Sequence, residues 1–70
     1  MTWEEFTKII KEKYPKIKVN DFAVEFAYDL LYFSFYKKGG VFIQEYEEGV
    51  SIPDVSYEKM LLLIEGLYRE

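Results

Sequence analysis

Residues 21–46 read DFAVEFAYDLLYFSFYKKGGVFIQEY, and the period of this stretch decides the fold. Phe22, Val24, Phe26 and Tyr28 alternate with Ala23, Glu25, Ala27 and Asp29. After Asp29 the phase flips, and Leu31, Phe33 and Phe35 alternate with Tyr32, Ser34 and Tyr36. A flipped period of two is what a turn or bulge between two strands produces. The competing reading is one long helix over 21–36. Asp21, Glu25 and Asp29 recur every four residues, and Lys37-Lys38-Gly39-Gly40 would end a helix well. On a helical wheel, however, the apolar residues of 22–36 spread nearly all the way round, so strands are the tidier solution.

Working outward, the Lys-Lys-Gly-Gly segment joins two strands as a hairpin, with glycine taking positive φ. Val41–Tyr46 is the next strand, Glu47-Glu48-Gly49 turns, and Val50–Ile52 pairs briefly. Ile17 and Val19 either extend the first strand or bridge into it. The flanks are helical. Thr2 followed by Glu5 is a capping box, and Trp3, Phe6, Ile9, Ile10 and Tyr14 form an apolar stripe. Glu4–Lys8 and Lys8–Glu12 are spaced for ion pairs along this helix, and Pro15 stops it near Tyr14. Ser56 is a natural cap for the last helix, with Glu58 in its first turn. Val55 and Met60 stand at the staple positions. Tyr57, Met60, Leu61, Ile64, Leu67 and Tyr68 make its buried stripe, while Leu62 and Gly66 lie one turn apart on its outer side.

These elements predict a single compact α+β domain over 1–70: helix, three-stranded antiparallel meander, helix, with both helices on one sheet face. The alternative is a mostly α chain with the long second helix and a short hairpin. In the favoured arrangement Tyr32, Ser34 and Tyr36, with Phe42 or Tyr46 from the third strand, lie on the uncovered face. An exposed apolar patch of that size marks a binding or self-association surface. Leu62 and Gly66 offer a second one, where another helix can approach closely.

Composition narrows the function. The chain has no histidine and no cysteine, yet 20% of its residues are aromatic. The proton shuttle and the thiolate are therefore missing, and the investment goes into packing and contact surface. No Ser34, Ser51 or Ser56 context resembles a nucleophile. Glu45, Glu47, Glu48 and Asp54 form the one dense acidic group, but without the ligand order of a calcium loop. A non-catalytic chain with no cofactor and no metal is expected. Net charge is −4. Residues 1–18 are basic, whereas 41–70 hold seven acids against Lys59 and Arg69. Nucleic acid is thus a poor general partner, and the acidic half suits a basic one. No apolar run is long enough for a membrane, and Glu4 and Glu5 stand where a signal peptide needs positive charge. The expected location is cytoplasmic.

In size, charge and aromatic content the chain resembles the small acidic accessory proteins of phages and mobile elements, many of which inhibit host enzymes by binding. No motif carries the resemblance, and no residue role transfers with it. The expected function is a protein-binding module of inhibitor, regulatory or anti-defence type, acting as a homodimer through Tyr32, Tyr36, Phe42, Tyr46, Leu62 and Gly66. One alternative is a nucleotide or small-ligand binder. In that case Lys37, Lys38, Gly39 and Gly40 hold phosphate while neighbouring rings stack. A further alternative is a structural subunit of a larger assembly.

Overall fold

A computed structural model describes residues 1–68. The order is α1 (Trp3–Lys13), β1 (Lys18–Val19), β2 (Ala23–Tyr28), β3 (Leu31–Tyr36), β4 (Val41–Glu45), β5 (Glu48–Ile52) and α2 (Tyr57–Leu67). The strands form one antiparallel meander in the order β1-β2-β3-β4-β5. The class is α+β, as the alternating pattern required, but the sheet has five strands rather than three. Arg69, counted in the charge balance, lies outside the described residues.

Both helices form where their caps place them. The Thr2 hydroxyl accepts from Glu5 N at 3.1 Å, and the Glu5 carboxylate accepts from Thr2 N at 2.8 Å. The Thr2 backbone bond first, and the Thr2 side chain second, hold the Glu5 carboxyl below its usual range. Lys13 is the last helical residue before Pro15. Ser56 Oγ caps α2 by accepting from Lys59 N. The phase flip at Asp29 is the β2–β3 turn: Tyr28 pairs with Leu31, and Asp29 sits at φ +58°. The helix alternative for 21–36 is thereby ruled out. A buried helix there would have had to hide residues on all sides, whereas the sheet hides only every second one.

Register sorts the side chains. Val24 faces Phe35, Phe26 faces Phe33, and Phe33 and Phe35 face Ile43 and Val41. These residues point to the helix side. There they meet Trp3, Phe6 and Ile10 from α1 and Met60 and Ile64 from α2 in one core. Phe26, Phe33 and Phe35 stack with centroids 5.5–6.2 Å apart. Tyr68 caps this group edge-on over Phe26, and Tyr14 packs against Tyr68. Burying each such ring contributes about 1.5–3 kcal/mol. This dense aromatic core is how a short chain without disulfides is held together.

The ion pairs among the described residues join the helices instead of running along α1 as expected. The Met1 amine meets Glu58 Oε2, and Lys13 Nζ meets Glu65 Oε2, each at 3.0 Å. One pair lies at the start of both helices and one near the end of both, so α1 and α2 run side by side in the same direction.

The core sits over β2, β3 and the near end of β4. Beyond it β5 is exposed at every residue. The sequence expectation put a turn at Glu47-Glu48-Gly49 and made Tyr46 the end of a strand. In the structure Glu45 pairs with Glu48, and the turn is Tyr46–Glu47. Tyr46 takes φ +54° there, and Gln44 Nε2 donates to its carbonyl at 3.2 Å.

Candidate functional site

Three surfaces emerge, and they divide the residues that sequence reasoning grouped together. The first is the sheet face without helices. Lys18, Ala23, Glu25, Ala27, Tyr32, Ser34, Tyr36, Phe42, Gln44, Gly49 and Ser51 share it by register. Tyr32, Tyr36 and Phe42 therefore come together as expected, around Ser34 at the sheet centre. Tyr32 is 38% exposed, and Tyr36 and Phe42 are half-buried. The Tyr32 hydroxyl donates to Glu25 Oε2 at 3.2 Å. Desolvation first, and the Glu25 carboxylate second, push the Tyr32 phenol up, so it stays a donor across neutral pH. The Phe42 ring lies over the bare backbone of Gly49, where any Cβ would collide with it. A ring covering a strand glycine in this way protects a weak spot in an edge.

Tyr46 does not belong to this face. It is 79% exposed in the β4–β5 turn. Leu62, 68% exposed, and Gly66, with open space around its Cα, lie on the outer side of α2. They are separated from the aromatic face by the whole thickness of the domain.

The second surface is built on the lysine turn. Lys37, Lys38 and Gly39 form a three-residue loop closed by Tyr36 N to Gly40 O at 2.8 Å and Gly39 N to Tyr36 O at 2.9 Å. Gly39 adopts φ +101°, which side chains rarely tolerate. Three other segments tie this loop down. Lys37 N donates to Phe22 O at 2.8 Å, Val55 N donates to Gly39 O at 2.6 Å, and the Tyr57 hydroxyl donates to Lys37 O. Phe22, Tyr36, Lys37, Lys38 and Tyr57 line an open cup of about 520 Å³. Lys38 Nζ stands 5.9 Å from the Tyr36 ring centroid, at the outer reach of a cation–π contact.

Phe22 is the residue that sequence reasoning missed. Its place in the alternating run made it look like a core strand residue. In fact it precedes β2 and is 74% exposed. Asn20 Oδ1 accepts from Phe22 N and Ala23 N at 2.8 and 2.9 Å, an Asx turn that swings Phe22 out of the strand. Asn20-Asp21 was the available signal.

The third surface lies along β5 on the helix side. Val50 and Ile52 point the same way as buried Val41 and half-buried Ile43, yet are 61% and 41% exposed. Leu31, Ile43 and Val50 floor a notch of about 220 Å³ whose rim carries Glu45 and Glu48. Beside it, Glu45, Tyr46, Glu47 and Glu48 surround a hollow of about 440 Å³.

Among the described residues, no group of three or more histidine, cysteine, aspartate or glutamate side chains is arranged to hold a metal ion. No helix among them is long and apolar enough to cross a membrane. No protein-family model matches this chain, and comparison with the curated proteins and with the solved structures returned no match.

Proposed function

We propose that this chain is a non-catalytic protein-binding module that takes up an extended basic segment of a partner along β5. One observation carries the reading: β5 is bare although Val50 and Ile52 face the side where the helices cover β2, β3 and the near end of β4. An edge strand presents a row of backbone donors and acceptors to any chain laid beside it. Strand addition uses that row for affinity and alternate side-chain sites for specificity. Here those sites are the Leu31–Ile43–Val50 notch and the Glu45, Glu47 and Glu48 carboxylates. A peptide strand whose helix-side positions are apolar beside Val50 and Ile52 and lysine or arginine beside Glu48, two residues on, matches both. An inhibitor or accessory protein works in this way without chemistry of its own.

A second copy fits the β5 edge less well, because two such edges bring like charges together. Self-association is better served by the aromatic sheet face. That face carries Lys18 opposite Glu25 among small residues and rings, so a two-fold contact between copies brings no net repulsion.

Selection from a random heptapeptide display library tests the main reading. Enriched sequences should place a basic residue two positions from an apolar one, and the Val50→Lys/Ile52→Lys double variant should lose them. Enrichment that ignores this substitution, or no enrichment of basic sequences, defeats it. Sedimentation equilibrium tests the self-contact: a dimer that Tyr32→Ala and Tyr36→Ala both leave intact is not made by the sheet face.

A further inference from the structure

We infer that the cup formed by Phe22, Tyr36, Lys37, Lys38 and Tyr57 is a separate small-molecule site that takes a mononucleotide, with the base among the rings and the phosphate on the two lysines. It is distinct from the acidic turn at the other end of β5, from which the length of β4 separates it.

Phe22 is a large apolar side chain, 74% exposed, and it is held there rather than left loose. The Asn20 side chain fixes its backbone on one side, and Lys37 N, donating to its carbonyl, fixes it on the other. Tyr57 is positioned equally firmly. Its hydroxyl is bonded to Lys37 O, and its ring stacks on Phe6 with centroids 5.6 Å apart. The cup walls are therefore in place before any ligand arrives, which lowers the ordering cost of binding. The volume of about 520 Å³ falls within the roughly 300–1,000 Å³ of ordinary ligand pockets.

Charge selects the ligand. Lys37 and Lys38 are the only adjacent lysines in an acidic chain. Both flank the cup, and Lys38 already leans over Tyr36. Two ammonium groups match one phosphate monoester, which carries about −1.5 to −2 charges near pH 7. Stacking on an aromatic wall suits any base, since every base has a π-face. A polynucleotide is disfavoured, because the chain as a whole repels a long polyanion while a single phosphate feels mainly the local pair.

Trp3 supplies the readout. It is the chain's one tryptophan, and its ring centroid is 5.7 Å from that of Tyr57. Adenosine, guanosine, cytidine and uridine 5′-monophosphates are titrated while Trp3 emission and the amide resonances of residues 20–23 and 36–40 are followed. At least one should produce saturable changes at both. Binding should weaken by at least about tenfold in Lys37→Glu/Lys38→Glu, given the strength of charge-assisted contacts, and also in Phe22→Ala. Circular dichroism checks that both variants fold, and Tyr46→Ala, at the far turn, should bind as the parent does. Three results overturn the inference: no saturable change with any of the four, equal binding of adenosine and its monophosphate, or tighter binding of a short single-stranded oligonucleotide at the same residues.

Discussion

Strand β4 runs between two turns, Lys37–Gly39 at one end and Tyr46–Glu47 at the other, and the two are built differently. The lysine turn receives hydrogen bonds from Val55 and Tyr57 and gives one to Phe22, so the start of β2, the approach to α2 and α2 itself all hold it. The acidic turn is held by its own hairpin ladder and by Gln44. One end is basic and fixed; the other is acidic and open to solvent. A small ligand benefits from a site ordered in advance, whereas strand addition requires an edge that nothing else occupies. The proposed ligand cup and the acidic anchor of the proposed strand addition therefore fall at the ends whose construction suits them.

The largest test of this contrast removes the ring that binds the lysine turn to the core. Tyr57→Ala deletes contacts with Trp3 and Phe6 and the hydroxyl bond to Lys37, and should cost about 3 kcal/mol in urea unfolding. Tyr57→Phe keeps the ring and should lose only about 1 kcal/mol for the hydrogen bond. Tyr46→Ala should be near neutral. If Tyr57→Ala were equally mild, the lysine turn would not be integrated into the core.

Backbone strain separates the ends in the opposite sense. At Gly39, φ +101° is native to glycine, so Gly39→Ala should destabilise by about 2 kcal/mol. At φ +54° Tyr46 occupies a region costing about 1 kcal/mol or more for an ordinary residue, so Tyr46→Gly should be neutral or stabilising. Matching losses at both positions would contradict the assigned turn geometries.

How much of this was legible beforehand differs along the same strand. Capping residues and Pro15 state the helix limits directly. The flip at Asp29 states the β2–β3 turn, because a side-chain period of two cannot change phase within one flat strand. Lys-Lys-Gly-Gly names its own turn through glycine. Tyr46–Glu47 does not, since an aromatic residue in left-handed conformation follows no local preference. Glu48-Gly49, the better turn candidate on composition, went into β5 instead. With that edge misplaced, the exposure of Val50 and Ile52 was invisible, and Tyr46 was assigned to the wrong surface. Phe22 failed for a related reason: the strand period continues through it, and only the hydrogen bonds of Asn20 show that the strand has not yet begun.

Gly49 offers a finer probe of the acidic end. Its Cα lies under the Phe42 ring, so Gly49→Ala should push that ring aside and cost about 1 kcal/mol. In a Phe42→Ala background the same substitution should cost clearly less, and this coupling is what a double-mutant cycle measures. Additive effects would mean that the ring does not cover the glycine in solution.

The smallest expected effect lies beside the lysine turn, at the ion pair between the Met1 amine and Glu58. The hydrogen bond to Glu58 raises the amine above its ordinary range, and the same contact is the first cause that lowers the Glu58 carboxyl. The signs follow from linkage. The lowered carboxyl contributes stability above its unfolded value, about 4.3, and loses it as pH falls through the folded value. The raised amine contributes below its unfolded value, about 8, and loses it as pH rises through the folded one. Both groups meet solvent, so salt should weaken the effect at every pH. The difference in urea midpoint between the parent and Glu58→Gln should thus form a plateau between these limits and decline on either side. A difference that declines in acid but stays constant into alkali would show that Glu58 acts through the helix N-terminus rather than through the amine. The lysine end would then owe its rigidity to backbone bonds and the Tyr57 ring alone.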